Sequence, residues 1–282
     1  MYKAIRLKEL LRRAREVVRD AQISPRGFFA LYLIIDGGMR LADFFANRSG
    51  TLLPWSNLPG LFVSFLVFLM SMVLSAGCKL YCLGVCRNER MEYLTLFDGF
   101  SFAGRIILLH LLEYLLILLW LTPSMVAASV LVGMMAQDAL WILPALLPLM
   151  ALPAVVAWYR YRFALYNLCD NPSMSPVQAL RLSALQTLGQ KRGLFRLDFS
   201  FCGWIALANL PTIAAYAMNY MTLMGVSMPT VNNTLSIAAQ LLFPIAVGIF
   251  YLPRYYAADT LWFLTVREAR QQVDEGGLPP LR

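Results

Sequence analysis

Histidine occurs once in the 282 residues, at position 110, and that scarcity excludes a good deal of chemistry. A zinc site built on two histidines is impossible. A serine hydrolase would have to draw its base from this one imidazole. No GxSxG, P-loop or HExxH string occurs, so nucleophile-elbow, Walker-type and zincin chemistry have no carrier. The chain is therefore read as not an enzyme, with no catalytic, cofactor-binding or metal-ligating residues and no cofactor.

Charge is the next scarcity. Only 14% of residues are Asp, Glu, Lys or Arg, where a soluble domain carries about 25%. Against that stand 59% hydrophobic residues and a mean hydropathy of +0.61. Most of the chain must be solvated by lipid or by other apolar helices. The net charge of +8 does not point to nucleic acid. Basic residues sit at the ends of apolar runs, and no basic stripe with interleaved aromatics forms a groove-reading element. The five cysteines form no disulfide framework. Cys78, Cys82 and Cys86 recur on one helix face, but the outer two are ~12 Å apart by helical rise. That is too far to share one tetrahedral metal. They read as packing thiols, with a two-cysteine thiol or metal site as the alternative. The first 26 residues contain no apolar h-region, so no cleavable signal peptide is expected.

What the sequence does contain is a succession of apolar runs. Before them, Leu7, Leu11, Ala14, Val18 and Ala21 alternate with Lys8, Arg12, Arg15 and Arg19. This is an amphipathic helix, suited to an anionic membrane surface or to docking on the protein's own cytoplasmic face. Ser24-Pro25 supplies a cap and a first-turn proline for the next helix. Spanning helices are expected over about 28–45, 59–80, from 102 past a kink at Pro123, 139–163, 194–221 and 235–251. A short cytoplasmic helix from Pro176 to Gly189 separates the fourth from the fifth. An amphipathic segment and a flexible tail follow position 254. The organisation expected is thus 1–24 cytoplasmic basic helix, 25–254 transmembrane bundle and 255–282 cytoplasmic tail.

Orientation follows from the 24 lysines and arginines. In this arrangement only Arg48 falls in an outer loop, and Arg40 within a span. Both termini are expected in the cytoplasm. Trp55 and Trp141 fall at the outer interface, Trp158 and Trp262 at the inner one. The triplets Asn47-Arg48-Ser49 and Asn232-Asn233-Thr234 read as chance glycosylation matches.

A few costly polar residues interrupt the runs. Asp36 and Arg40 each oppose insertion by roughly 2.5–3.5 kcal/mol at a helix centre, but their four-residue spacing suits an ion pair. Both are expected to face the bundle interior. His110 and Glu113 share a face of the third span, with Arg40 and Asn209 as candidate partners. These five residues form a candidate intramembrane polar site, either a relay or buried hydrogen-bonded structure.

The segment ALYNLCDNPSMSPVQALRLSALQTLGQKRGLFRLDFSFCGW carries Asp170, Asn171 and Pro172, then Ser175, Ala179, Leu180 and Ser183, then Gly193, Phe195, Leu197, Ser200, Phe201, Gly203 and Trp204. It resembles the signature of domain-of-unknown-function family 975, integral membrane proteins of Gram-positive bacteria. Leu96-Phe97-Asp98-Gly99-Phe100 and Leu252-Pro253-Arg254-Tyr255 resemble two further motifs of that family. The resemblance implies a bacterial cytoplasmic membrane protein and brings no activity with it. Read from the residues, Asp170 and Asn171 end the fourth helix, Ser175 caps the helix opened by Pro176, Gly203 permits close helix contact, and Asp198 complements a helix dipole.

The fold expected is all-α: a polytopic transmembrane bundle of six spans with amphipathic cytoplasmic helices, multi-pass in a cell membrane. The function expected is a non-enzymatic bundle that binds membrane lipids or other membrane proteins. The alternative is a transporter or permease subunit with a polar site around Glu113.

Overall fold

The structure is a computed structural model, which describes residues 7–47, 58–134, 143–223 and 233–274. All regular structure among these residues is helical. In chain order the helices are α1 Leu7–Asp20, α2 Pro25–Ala46, α3 Leu58–Cys86, a 3₁₀ segment Tyr93–Phe102 and α4 Ala103–Met134. They continue as α5 Leu143–Tyr161, α6 Ala164–Asp170, α7 Pro176–Gln186, α8 Lys191–Ala208, α9 Leu210–Leu223 and α10 Asn233–Asp274. Arg48, Ser49, Trp55, Trp141, Asn232 and the tail from 275 lie outside the described residues.

Three stretches are long and apolar enough to cross a membrane: Leu58–Cys86, Tyr93–Leu131 and Leu235–Gln271. Helices α8 and α9 make a fourth if taken as one span broken by a 64° bend. The expected count of six adds α2, which carries Arg26, Asp36, Arg40 and Asp43, and the run over 139–163, which begins outside the described residues. Helix α4 continues through Pro123. The sixth expected span and the amphipathic segment after it are one helix, α10, which contains both Pro244 and Pro253 and runs through 254–255 without a break. Proline at these positions removes one intrahelical bond, a loss that spanning helices tolerate when neighbours pack around it.

The chain divides into two compact units. The first comprises Met1–Phe100 and Arg196–Leu264. Its α2 begins where the Gly27 amide donates to Ser24 Oγ at 3.4 Å and Pro25 occupies the first turn, as the sequence predicts. The core of this unit is aromatic: Phe28 stacks on Tyr81 with ring centroids 3.8 Å apart, and Phe29 meets Tyr256 at 5.2 Å. Leu74, Cys78, Cys82 and Leu96 complete the cluster, so two of the three helix-face cysteines are buried packing thiols. The 3₁₀ segment lies hard against α3. A Cβ on Gly77 would fall on the Leu96 carbonyl, and one on Gly99 would come 2.8 Å from the Val73 carbonyl. Helix α1 packs on α3 with Leu10 and Ala14 buried, which is the docking reading of its amphipathic pattern. Its basic residues Lys8, Arg12, Arg15 and Arg19 remain exposed.

The second unit comprises Ser101–Phe195 and Thr265–Arg282. Here α4 packs along α5, and α7 packs on α4, α5 and α6. The fourth span does not end at Asp170-Asn171 as expected. Helix α5 stops at Tyr161, and Arg162-Phe163 break the chain before α6. Trp262, expected at the inner interface, is instead 2% exposed, and its indole nitrogen has no hydrogen-bond partner among the described residues.

Candidate functional site

The break between α5 and α6 strips backbone groups of their helical partners, and α7 supplies replacements. Ser183 accepts from the Phe163 amide at 3.1 Å and donates to the Arg160 carbonyl at 3.0 Å. Thr187 donates to the same carbonyl at 3.1 Å. Beside them Asn167 and Gln186 exchange amide hydrogen bonds of 2.9 and 3.1 Å. All four side chains are buried. A buried polar network of this kind holds its geometry only when every member is paired. Helix α7 is pre-set for the task by Pro176 and by a capping box between Ser175 and Gln178.

Asp170, Asn171 and Pro172 form the turn that follows. Asn171 Oδ1 accepts from the Ser173 amide at 3.2 Å and from its hydroxyl at 2.6 Å, which closes an Asx turn. Two arginines grip this turn. Arg267, from the end of α10, pairs with Asp170 at 2.5 Å, and Arg105 of α4 donates to the Pro172 carbonyl. Sequence reasoning missed both arginines. Arg267 lies beyond Pro253, where no rigid helix was expected. Asn167 and Gln186 did carry a signal, because an amide inside a buried apolar run needs a partner of its own kind.

The second half of the signature lies on α8. Ser200 donates to the Leu197 carbonyl at 2.6 Å. Phe201 is buried and meets Tyr255 edge-on at 5.4 Å, and the Tyr255 hydroxyl donates to Asp198 at 3.1 Å. Asp198 thus sits eight residues into α8 and fastens it to α10, in place of the expected dipole role. Gly203 makes no close helix contact: a Cβ there would meet nothing within 4 Å. Trp204 beside it is exposed.

The candidate polar residues fall in different units. In the first, Arg40 Nε donates to Asp36 Oδ2 at 2.7 Å. The Asp36 side chain is shielded at 16% exposure, but that of Arg40 is 69% exposed, so the expectation that both face inward fails for the arginine. Further along the same face of α2, Asn47 donates to Asp43 Oδ1 and to Ser64 Oγ, each at 2.9 Å, and Ser64 donates to Asp43. Asn209, also in this unit, donates to the Ile205 carbonyl at 2.8 Å, at the bend between α8 and α9. In the second unit His110 Nδ1 donates to the Ile106 carbonyl at 2.9 Å, and Glu113 is half-buried. Near α1, a cleft of about 270 Å³ is lined by Arg13, Glu16, Asp20, Tyr81 and Glu89. Its charges are of both signs and select no ligand class.

The buried polar groups that the signature contributes thus serve to hold helix breaks and turns. Among the described residues no group of three or more His, Cys, Asp or Glu could hold a metal ion. Neither a curated protein nor a solved structure matches the chain. A family model does match, over residues 5–263, and its description is "Protein of unknown function (DUF975)". The match covers most of the chain and includes the turn, the capping box and the α8 motif: this protein belongs to the DUF975 family.

Proposed function

We propose that this chain is a multi-pass protein of a cell membrane, with six spans and cytoplasmic termini, that works as a non-enzymatic bundle binding lipids or other membrane proteins. The observation that carries the reading is α8. Its buried line runs Leu194, Leu197, Phe201 and Ala208, at helical spacing. The opposite face is also apolar: Phe195, Phe199 and Cys202 are exposed, Phe199 at 70%. A helix that is apolar all round needs lipid or a partner on its outer side. Little of the apolar stretch in Tyr93–Leu131 or Leu235–Gln271 is covered by protein either, which supports the same reading.

The test is a cysteine at position 199 in an otherwise cysteine-free chain, probed in membrane vesicles of both orientations. A membrane-impermeant maleimide is expected to leave it unlabelled, while a lipid-soluble photoreactive probe at the same position forms adducts. Rapid maleimide labelling from either side would sink the proposal.

A second reading, a transporter or permease subunit, is favoured by one observation: the 64° bend between α8 and α9. Broken spanning helices commonly mark binding sites near the midplane. On this reading Glu113→Gln abolishes proton or ion flux in liposomes and leaves thermal stability in detergent unchanged. On the bundle reading there is no flux to abolish.

A further inference from the structure

We infer that Arg40, oriented by Asp36, is a binding site for the phosphate of an anionic phospholipid headgroup, at the membrane face where α2 ends. The inference rests on the membrane reading above.

The pair is asymmetric. Asp36 holds Arg40 through Nε alone, and the guanidinium is 69% exposed on the surface of α2. An arginine has five N–H donors, so its two terminal nitrogens remain to be satisfied from outside this pair. The next acid along the same face cannot do it, because Asp43 already accepts from both Asn47 and Ser64. An arginine directed toward hydrocarbon is costly unless it pairs or snorkels to the interface. Its position allows the second course. Arg40 precedes Asn47, the C-cap of α2, by seven residues, or roughly 10 Å of helical rise. The whole of α2 is about 33 Å long, close to the ~30 Å of a hydrocarbon core. Asp43, Asn47 and Ser64 continue the polar face from Arg40 to the helix end, so polar groups line the way between the guanidinium and the headgroup layer. The planar fork of arginine matches phosphate oxygens in a bidentate manner, and Asp36 fixes the plane of that fork.

The experiment is native mass spectrometry of the full chain released from nanodiscs of mixed phosphatidylcholine and phosphatidylglycerol. The wild-type chain is expected to retain phosphatidylglycerol in preference to phosphatidylcholine. Arg40→Gln should lose that preference by about tenfold, as for removal of one charge-assisted contact. Arg40→Lys should keep part of it, because charge remains and the fork does not. Thermal unfolding is measured on each variant. If Arg40→Gln does not fold, the lysine variant carries the test, and wild-type retention by it would overturn the proposal. Equal retention by wild type and a folded Arg40→Gln overturns it too. So does displacement of the lipid by millimolar inorganic phosphate, which would assign the site to the free anion. Loss of a dimer in place of a lipid would assign Arg40 to a second copy of the chain. In each of these outcomes the protein stays inserted and folded, so the membrane reading is judged separately.

Discussion

At Gly77 the absence of a side chain sets how closely the 3₁₀ segment approaches α3. A methyl group there would occupy the position of the Leu96 carbonyl, and backbone cannot step aside as a flexible side chain can. Gly77→Ala should therefore force the LFDGF motif away from α3, at a cost of about 1–3 kcal/mol, the usual range for overpacking. Gly203→Ala is the control. Its added methyl meets nothing within 4 Å and replaces a glycine inside a helix. That change should be neutral or stabilise by up to about 1 kcal/mol. Detergent thermal melts of the two variants test the contrast, and a Gly203→Ala protein less stable than Gly77→Ala would contradict the packing described. The sequence could not separate these two glycines. Each lies in an apolar run next to aromatic residues, and only the partner helix decides which of them is pressed against backbone.

At the scale of elements, the α5–α6 break depends on α7 for its hydrogen bonds, so the two should be energetically coupled. Asn167→Leu alone leaves the Gln186 amide buried and unpaired, which costs about 1–3 kcal/mol. The double variant Asn167→Leu/Gln186→Leu removes both partners and should be closer to wild type than either single change. A double-mutant cycle read by thermal unfolding measures this, and additive losses would show that the amides do not act as a pair. Where an element carries a local cap, the sequence was a good guide. Ser24-Pro25 and Ser175-Pro176 mark the starts of α2 and α7, and both starts are observed. Where an element is set by tertiary contacts, the guide failed. No glycine or proline marks the break at Arg162-Phe163, because Ser183 and Thr187 create it from another helix. Conversely Pro253 looks like a helix end, yet α10 passes through it. The spacing of Asp36 and Arg40 made their ion pair legible. Which of the two is covered was not, since that depends on α3 and α10 packing against one side of α2: Gly37 lies against Ile245, and Leu33 against Gly248.

For the whole molecule, length settles how much of the chain a membrane can hold. Helix α10 has 42 residues, or about 63 Å of rise, roughly twice the ~30 Å of a hydrocarbon core. One end of it must therefore stand in water if the rest spans. Its composition says which. The stretch around Leu242 is apolar, with Leu242 and Phe250 exposed toward the surroundings. The stretch from Thr265 carries Arg267, Glu268 and Arg270, and Arg267 is committed to Asp170 in the cytoplasmic turn expected from the charge distribution. Exposed apolar side chains at one end and an ion pair at the other place the membrane boundary between them. In a cysteine-free background, Glu268→Cys should react with an impermeant maleimide in inside-out vesicles and not in right-side-out ones. Leu242→Cys should react in neither. Because Glu268 is exposed and Leu242 equally so, a difference between them reports lipid and not burial within the protein. Labelling of position 268 from the outer side would reverse the orientation. Labelling of position 242 from either side would take α10 out of the membrane, and the largest apolar surface of the chain would then need a protein partner.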